Sequence, residues 1–148
     1  MAHAFLQHLE RDHQKQRQLG EQLGEATDAK QREKLRQQLS DELVPHMEGE
    51  EASIFPFMQD SGDDEAEDAA LEAVQEHHVA KLVLRELMGL NLTSEVFKAK
   101  ASVLHELNEH HVEEEEQEHF AWLDQHCTKK QLDELFAQYE KAEEKAKS

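Results

Sequence analysis

The sequence predicts an all-α protein, an up-down-up-down four-helix bundle with a short fifth helix at its C-terminus. Three observations carry this. Glu, Gln, Lys, Leu and Ala are abundant, while only 5 Gly and 2 Pro occur in 148 residues, a composition that favours helix. Apolar residues recur every three or four positions, and no period-two pattern competes. The periodic runs are long and the breaks between them short, so consecutive helices should pack antiparallel.

The elements follow in order. A first helix is expected from Ala2 to Glu25. Thr27 and Asp28 supply a turn and an N-cap for a second helix reaching Gln59. Pro45 falls inside it, where its ring and missing N–H should produce a kink but not a break, because the apolar stripe keeps its phase. Pro56 marks a second irregularity. Asp60-Ser61-Gly62-Asp63 reads as a loop, and a third helix runs on to Leu90. Thr93 or Ser94 caps a fourth helix that ends near His126. Thr128-Lys129-Lys130-Gln131 has the form of a capping box opening a short helix of about residues 128–145, with the polar stretch from Lys141 to Ser148 fraying. The length suits one domain over residues 1–148, its core about residues 2–126.

The formal net charge is −18 and 34% of residues are charged. Such a chain repels nucleic acid and anionic membrane surfaces. Hydrophobic residues make up only 37%, and disorder would be the competing reading were the apolar residues not periodic. A single cysteine, Cys127, excludes an intrachain disulfide and a cysteine-rich zinc site. No apolar run approaches the ~18 residues of a membrane span, and no signal-peptide core opens the chain, so a cytoplasmic protein is expected.

The sharpest signal is a repeated motif. His46-Met47-Glu48-Gly49-Glu50-Glu51-Ala52-Ser53-Ile54-Phe55 and His111-Val112-Glu113-Glu114-Glu115-Glu116-Gln117-Glu118-His119-Phe120 both fit H-x-x-x-E-E-x-x-x-F, 65 positions apart (46 to 111). An acidic-His pair precedes each copy, Asp12-His13 and Glu76-His77. On the second helix Leu35, Leu39, Leu43, His46, Glu50, Ile54 and Phe57 step along one face. His46 and Glu50 therefore stand where Leu would be expected. On the fourth, Leu104, His111, Glu115 and Trp122 repeat the stripe. A His and a Glu four apart lie on adjacent turns of one face, within reach of one site. An isolated pair of this kind is usually solvated, as His105–Glu109 and His110–Glu114 would be. Two copies in core phase are different, because a buried carboxylate must be satisfied.

His13 follows Phe5 and Leu9 on the first helix, and His77 sits among Ala73, Ala80 and Leu84 on the third. Gly20, Ala73 and Ala80 would leave space for a cofactor or for close helix packing. The candidate ligands are His13, His46, Glu50, His77, His111 and Glu115. Helix phase alone does not separate His77 from His78, or His111 from His110; the repeat alignment selects the first of each. This N/O set without thiolate suits iron and accepts manganese or zinc less readily. Two ions sharing six ligands, with the carboxylates bridging, keep open positions for an oxo bridge, water, dioxygen, nitric oxide or peroxide. Asp12 and Glu76 offer to orient the ligand helices, but solvated carboxylates are the favoured reading of both; Glu51 and Glu116 lie too far around the helix to coordinate. His119 falls on the core stripe where the first copy has Ile54. It offers a fifth ligand or a supporting hydrogen bond, but its acidic neighbours favour a ring reaching water.

These residues resemble the haemerythrin-like domains of the HHE cation-binding family, over roughly Leu6 to Leu123. The resemblance rests on Asp12-His13, His46-x-x-x-Glu50-Glu51, Glu76-His77 and His111-x-x-x-Glu115-Glu116. It implies a bundle with a non-haem di-iron centre held by the same six residues. Oxygen-carrying members have a further histidine four residues away on the third helix; here Ala73 and Lys81 occupy those positions. The resemblance therefore points to the intracellular members implicated in iron handling, in sensing of oxygen or nitric oxide, and in repair of iron centres. The expected function is a di-iron protein that binds a small diatomic or peroxide ligand for sensing, or handles iron. An enzyme acting on peroxide or nitric oxide at the same centre is the alternative. A non-catalytic acidic bundle working through a protein partner is a third reading; no such partner is specified by the sequence.

Overall fold

The computed structural model describes residues 2–147; Met1 and Ser148, the ends of the expected domain, lie outside the described residues. Helices α1 (Ala4–Glu25), α2 (Ala29–Glu51), α3 (Ile54–Gln59), α4 (Asp64–Gly89), α5 (Phe97–Glu114), α6 (Phe120–His126) and α7 (Lys129–Lys147) follow one another, and a π-helical turn over Glu115–His119 joins α5 to α6. The family of elements is all-α, with no strand among the described residues.

The long helices close into a ring, since α1 packs on α2 and α5, and α4 packs on the same two. Direction follows from two apolar clusters at opposite ends. One joins Phe5 and Leu9 of α1, Ile54 and Phe55 of α3, Ala66 and Ala70 of α4, and Phe120 and Leu123 of α6. The other joins Leu19 and Leu23 of α1, Leu35 and Leu39 of α2, Leu84 and Leu87 of α4, and Phe97 and Ala101 of α5. So α1 and α4 run from the first cluster to the second, and α2 and α5 run back, the predicted alternation. Between the clusters lies a buried polar layer: His13, His46, Glu50, His77, His111, Glu115 and His119 are all buried. That layer positions the candidate site.

Helix ends are satisfied by side chains, as orphan backbone groups require. Asp28 accepts from the Lys30 N–H, and Asp63 from those of Glu65 and Ala66. The predicted capping box forms: Thr128 Oγ1 accepts from the Gln131 N–H at 3.1 Å, and Gln131 Oε1 from the Thr128 N–H at 2.8 Å. At the far end Arg32 donates to the Ala26 and Leu92 carbonyls, and Arg36 to those of Leu87 and Leu90. Two arginines thus satisfy carbonyls at and just beyond the C-terminal ends of α1 and α4.

Five expectations need correction. The first helix begins at Ala4, because the His3 imidazole accepts from the Phe5 N–H at 3.0 Å and acts as the cap. The second helix passes through Pro45 but stops at Glu51, and Ala52-Ser53 separates it from α3. Pro56 then falls in the first turn of α3, where its missing N–H costs nothing. The fourth helix starts at Phe97, not Thr93 or Ser94, whose neighbourhood is spent on turns: Asn91 accepts from the Thr93 N–H and Ser94 from the Val96 N–H. It is also interrupted by the π turn, in which the Phe120 N–H reaches the Glu115 carbonyl. One extra residue in a turn rotates everything beyond it, so Leu123 is buried and Trp122 only partly so. Finally, the C-terminal helix keeps close to its expected range but does not fray at Lys141, continuing to Lys147. It spans 19 residues, lies along α2, and buries Leu132, Leu135 and Tyr139.

Candidate metal centre

Each of the four long rods delivers ligands to one level. The Nε2 atoms of the four imidazoles face the oxygens of two carboxylates. His46 Nε2 stands 3.4 Å from Glu50 Oε2, and His77 Nε2 stands 3.1 Å from Glu50 Oε1. His13 Nε2 is 3.1 Å from Glu115 Oε1, and His111 Nε2 is 3.3 Å from Glu115 Oε2. Each carboxylate thus offers one oxygen to each of two histidine pairs. One potential cation position is bounded by His13, His46, Glu50 and Glu115, a second by Glu50, His77 and His111. His77 and His111 bring their Nε2 atoms within 3.1 Å of each other.

Both glutamates are completely buried, and none of their four carboxylate oxygens has a hydrogen-bond partner. His13 Nε2 is likewise unpartnered. Buried carboxylates left in this way are costly. Two donors about 2.1 Å from one ion and at right angles to each other sit about 3 Å apart, which matches the separations here. The donor set therefore fits metal ions.

The other face of each ring is as informative. Asp12 accepts from His46 Nδ1 at 3.0 Å, Glu51 from His77 Nδ1 at 3.0 Å, Glu76 from His111 Nδ1 at 2.8 Å, and Glu116 from His13 Nδ1 at 2.6 Å. The pattern is a closed circuit: α1 supplies a carboxylate to α2, α2 to α4, α4 to α5, and the π turn back to α1. Every one of these acids adjoins a candidate ligand in sequence. Anchored Nδ1–H groups leave the Nε2 lone pairs directed inward and raise ring basicity.

Sequence reasoning missed these four acids, treating Asp12 and Glu76 as solvated and setting Glu51 and Glu116 aside. A residue one step from a ligand points about 100° away from it on a helix. In a four-helix ring that direction is the adjacent helix, so the acidic-His pairs and the second Glu of each motif were the legible signal. Lys81 was also missed. It holds Glu51 and Glu48 at 2.8 Å each, so its ammonium backs the acid that orients His77.

The phenylalanines of the motif wall the site. Phe55 packs against His77 and His111, and Phe120 stacks on His13 with an interplanar angle of 8°. Both copies leave α-helical geometry at or just after their Glu-Glu, the first by a turn at Ala52-Ser53 and the second by the π turn that begins at Glu115. That departure brings each Phe against the ligand rings.

The structure brings all six sequence-selected residues together, and it separates them from their neighbours. His78 and His110 are exposed, whereas His77 and His111 are buried. His119 does not reach water as expected: it is only 3% exposed, packs edge-on to Phe55, and leaves Nδ1 unpartnered. It belongs to neither ligand cluster. Gly20 gives room to the His105 ring, not to the centre.

Electrostatics in the metal-free chain favour charge. Burial alone would lower the imidazole of His46, but the charge of Glu50 and the hydrogen bond to Asp12 outweigh it, holding it well above the ordinary 6.5. Burial likewise opposes His111 and His13, yet Glu115, with Glu50 and Glu76 at His111 and Glu116 at His13, raises both. Burial would raise Glu50, but the charge of His46 and the surrounding imidazoles keep it well below 4.5. The stability these pairs contribute has a defined sign. The Glu50 contribution is present above 4.5 and is lost as pH falls through the lowered value. The histidine contributions are complete below 6.5 and are lost as pH rises through the raised values. Urea unfolding of metal-free protein should therefore be hardest between those limits and easier on the alkaline side. Stability that climbs steadily with pH above neutrality would contradict this.

A protein-family model described as Hemerythrin HHE cation binding domain matches residues 4–123. Comparison with curated proteins and with solved structures gives no match. The matched span covers α1 through the first turns of α6 and leaves α7 outside it.

Proposed function

The chain belongs to the hemerythrin HHE cation-binding family, and from that premise and the geometry above we propose that it is a non-haem di-iron protein that binds a small ligand, oxygen, nitric oxide or peroxide, for sensing, or that handles iron. His13 and His46 would hold one ion, His77 and His111 the other, with Glu50 and Glu115 spanning both. When bound, the ions supply Lewis-acid and redox chemistry with open positions for a small ligand. The chain does the rest. Four anchored imidazoles keep their Nε2 atoms in place, and Phe55 and Phe120 exclude water from one side of the rings.

The observation that carries this reading is the pair of fully buried carboxylates whose oxygens all lack hydrogen-bond partners. A purely structural polar network would hydrogen-bond those oxygens, whereas here each faces an imidazole nitrogen at 3.1 to 3.4 Å without a hydrogen bond. The absence of thiolate and the mixed imidazole–carboxylate set favour iron over zinc.

The test is metal analysis with an optical spectrum, recorded before and after exposure to oxygen, peroxide and nitric oxide. We expect two irons per chain and a near-ultraviolet charge-transfer band that changes with at least one of the three. A reconstituted chain that retains no metal would sink the proposal. Bound iron whose spectrum is indifferent to all three reagents would leave iron handling in place and remove ligand sensing.

A further inference from the structure

One buried titratable group is not used by the centre as described so far. Tyr139 lies on α7, is completely buried, and carries its hydroxyl into the outer circuit of carboxylates. The hydroxyl donates to Asp12 Oδ2 at 2.8 Å and its oxygen lies 2.9 Å from His46 Nδ1, while Asp12 Oδ2 is itself 3.0 Å from that nitrogen. The three atoms form a triangle behind one candidate ligand. Glu76 and Glu116 hydrogen-bond His111 and His13, Glu51 is shared between His77 and Lys81, and the single tyrosine of the chain stands behind none of these three rings.

The fold makes deliberate room for this side chain. A Cβ placed on Gly49 would lie 2.5 Å from the Tyr139 ring. Gly49 thus permits α7 to approach α2 at the turn that carries Glu50. Phe5 and His8 pack their rings around Tyr139 from the other side. A glycine in a helix interior is unfavourable relative to alanine, and here the close approach of an aromatic ring explains its presence.

We propose that Tyr139 is a positioning residue for one half of the centre: by fixing Asp12 and the His46 ring together, it makes the His13/His46 half-site distinct from the His77/His111 half-site. Three consequences follow from the contacts. Asp12 shares its accepting oxygen between His46 and a neutral phenol, whereas Glu51 shares its own between His77 and the Lys81 ammonium, so the two acids hold their rings differently. His46 is the imidazole tied to a helix outside the four-rod ring. Displacement of α7 would be transmitted to that half-site first, through a single hydroxyl.

This inference rests on the two-ion reading, and the test separates the two. Tyr139→Phe removes the hydroxyl and keeps the ring, so the packing of α7 is preserved. Gly49→Ala leaves the hydroxyl in the chain but pushes the ring away. Wild type and both variants are loaded with iron, and release to a chelator in excess is followed optically. The expected result is two irons bound in all three, with one iron released roughly tenfold faster in each variant, the scale set by losing a supporting hydrogen bond. The second iron should leave at its wild-type rate. A merely structural role for Tyr139 would change both rates together, and that outcome, or unchanged rates, overturns the inference while leaving the di-iron reading intact. Failure of the wild type itself to bind iron overturns the di-iron reading and this inference with it.

Discussion

Stripping iron from the loaded chain is expected to lower its thermal unfolding midpoint by about 10 °C. A metal that binds only the folded state stabilises it by about 4 kcal/mol when free metal is 1,000 times the dissociation constant. In a domain of this size each kcal/mol moves the midpoint by about 2–4 °C. The architecture makes that contribution matter. Only 37% of residues are hydrophobic, and the core is divided into two apolar clusters by a layer of buried histidines and glutamates. Calorimetry or far-ultraviolet dichroism with and without a chelator measures the difference. Equal midpoints would mean that the polar layer is held without metal.

Glu115→Gln is expected to abolish binding of the second iron and to destabilise even the metal-free chain. Glu115 presents separate oxygens to His13 and His111, and an amide offers one oxygen and no charge, so it cannot span two cations. In the metal-free chain the carboxylate faces imidazoles whose protonation it promotes. Removing one partner of such a buried pair costs about 3–5 kcal/mol. Metal analysis should fall from two irons per chain to one or fewer, and the urea midpoint should drop. Two irons bound with unchanged affinity would exclude Glu115 as a bridge. Glu114→Gln is the control, because its neighbour in the centre is untouched and its own closest partner is the exposed His110.

Much of this molecule is legible in the sequence because its signals are local. The period of Leu35, Leu39 and Leu43 places a helix face, and the same phase carries His46 and Glu50 onto it. The duplicated motif then repeats the argument on α5, and the residues chosen on that ground converge in space. Asp28 and Thr128 act as the expected caps because an N-cap needs only a short polar side chain and the next three residues.

What escaped the sequence is non-local. Burial distinguishes His77 from His78 and His111 from His110, but adjacent positions differ by only about 100° on a helix. The roles of Asp12, Glu51, Glu76 and Glu116 depend on which helix stands beside which. The π turn at Glu115–His119 gives no compositional sign, yet it exchanges Trp122 for Leu123 in the core.

The sequence by itself determined the helices, their alternation and, with the help of the repeat, six candidates for the interior, since these follow from periodicity and from the cost of burying charge. Only the tertiary structure decided how those residues are held. A hydrogen bond such as Tyr139 to Asp12 joins positions 127 residues apart, and chain periodicity carries no information about such a pair until the helices pack.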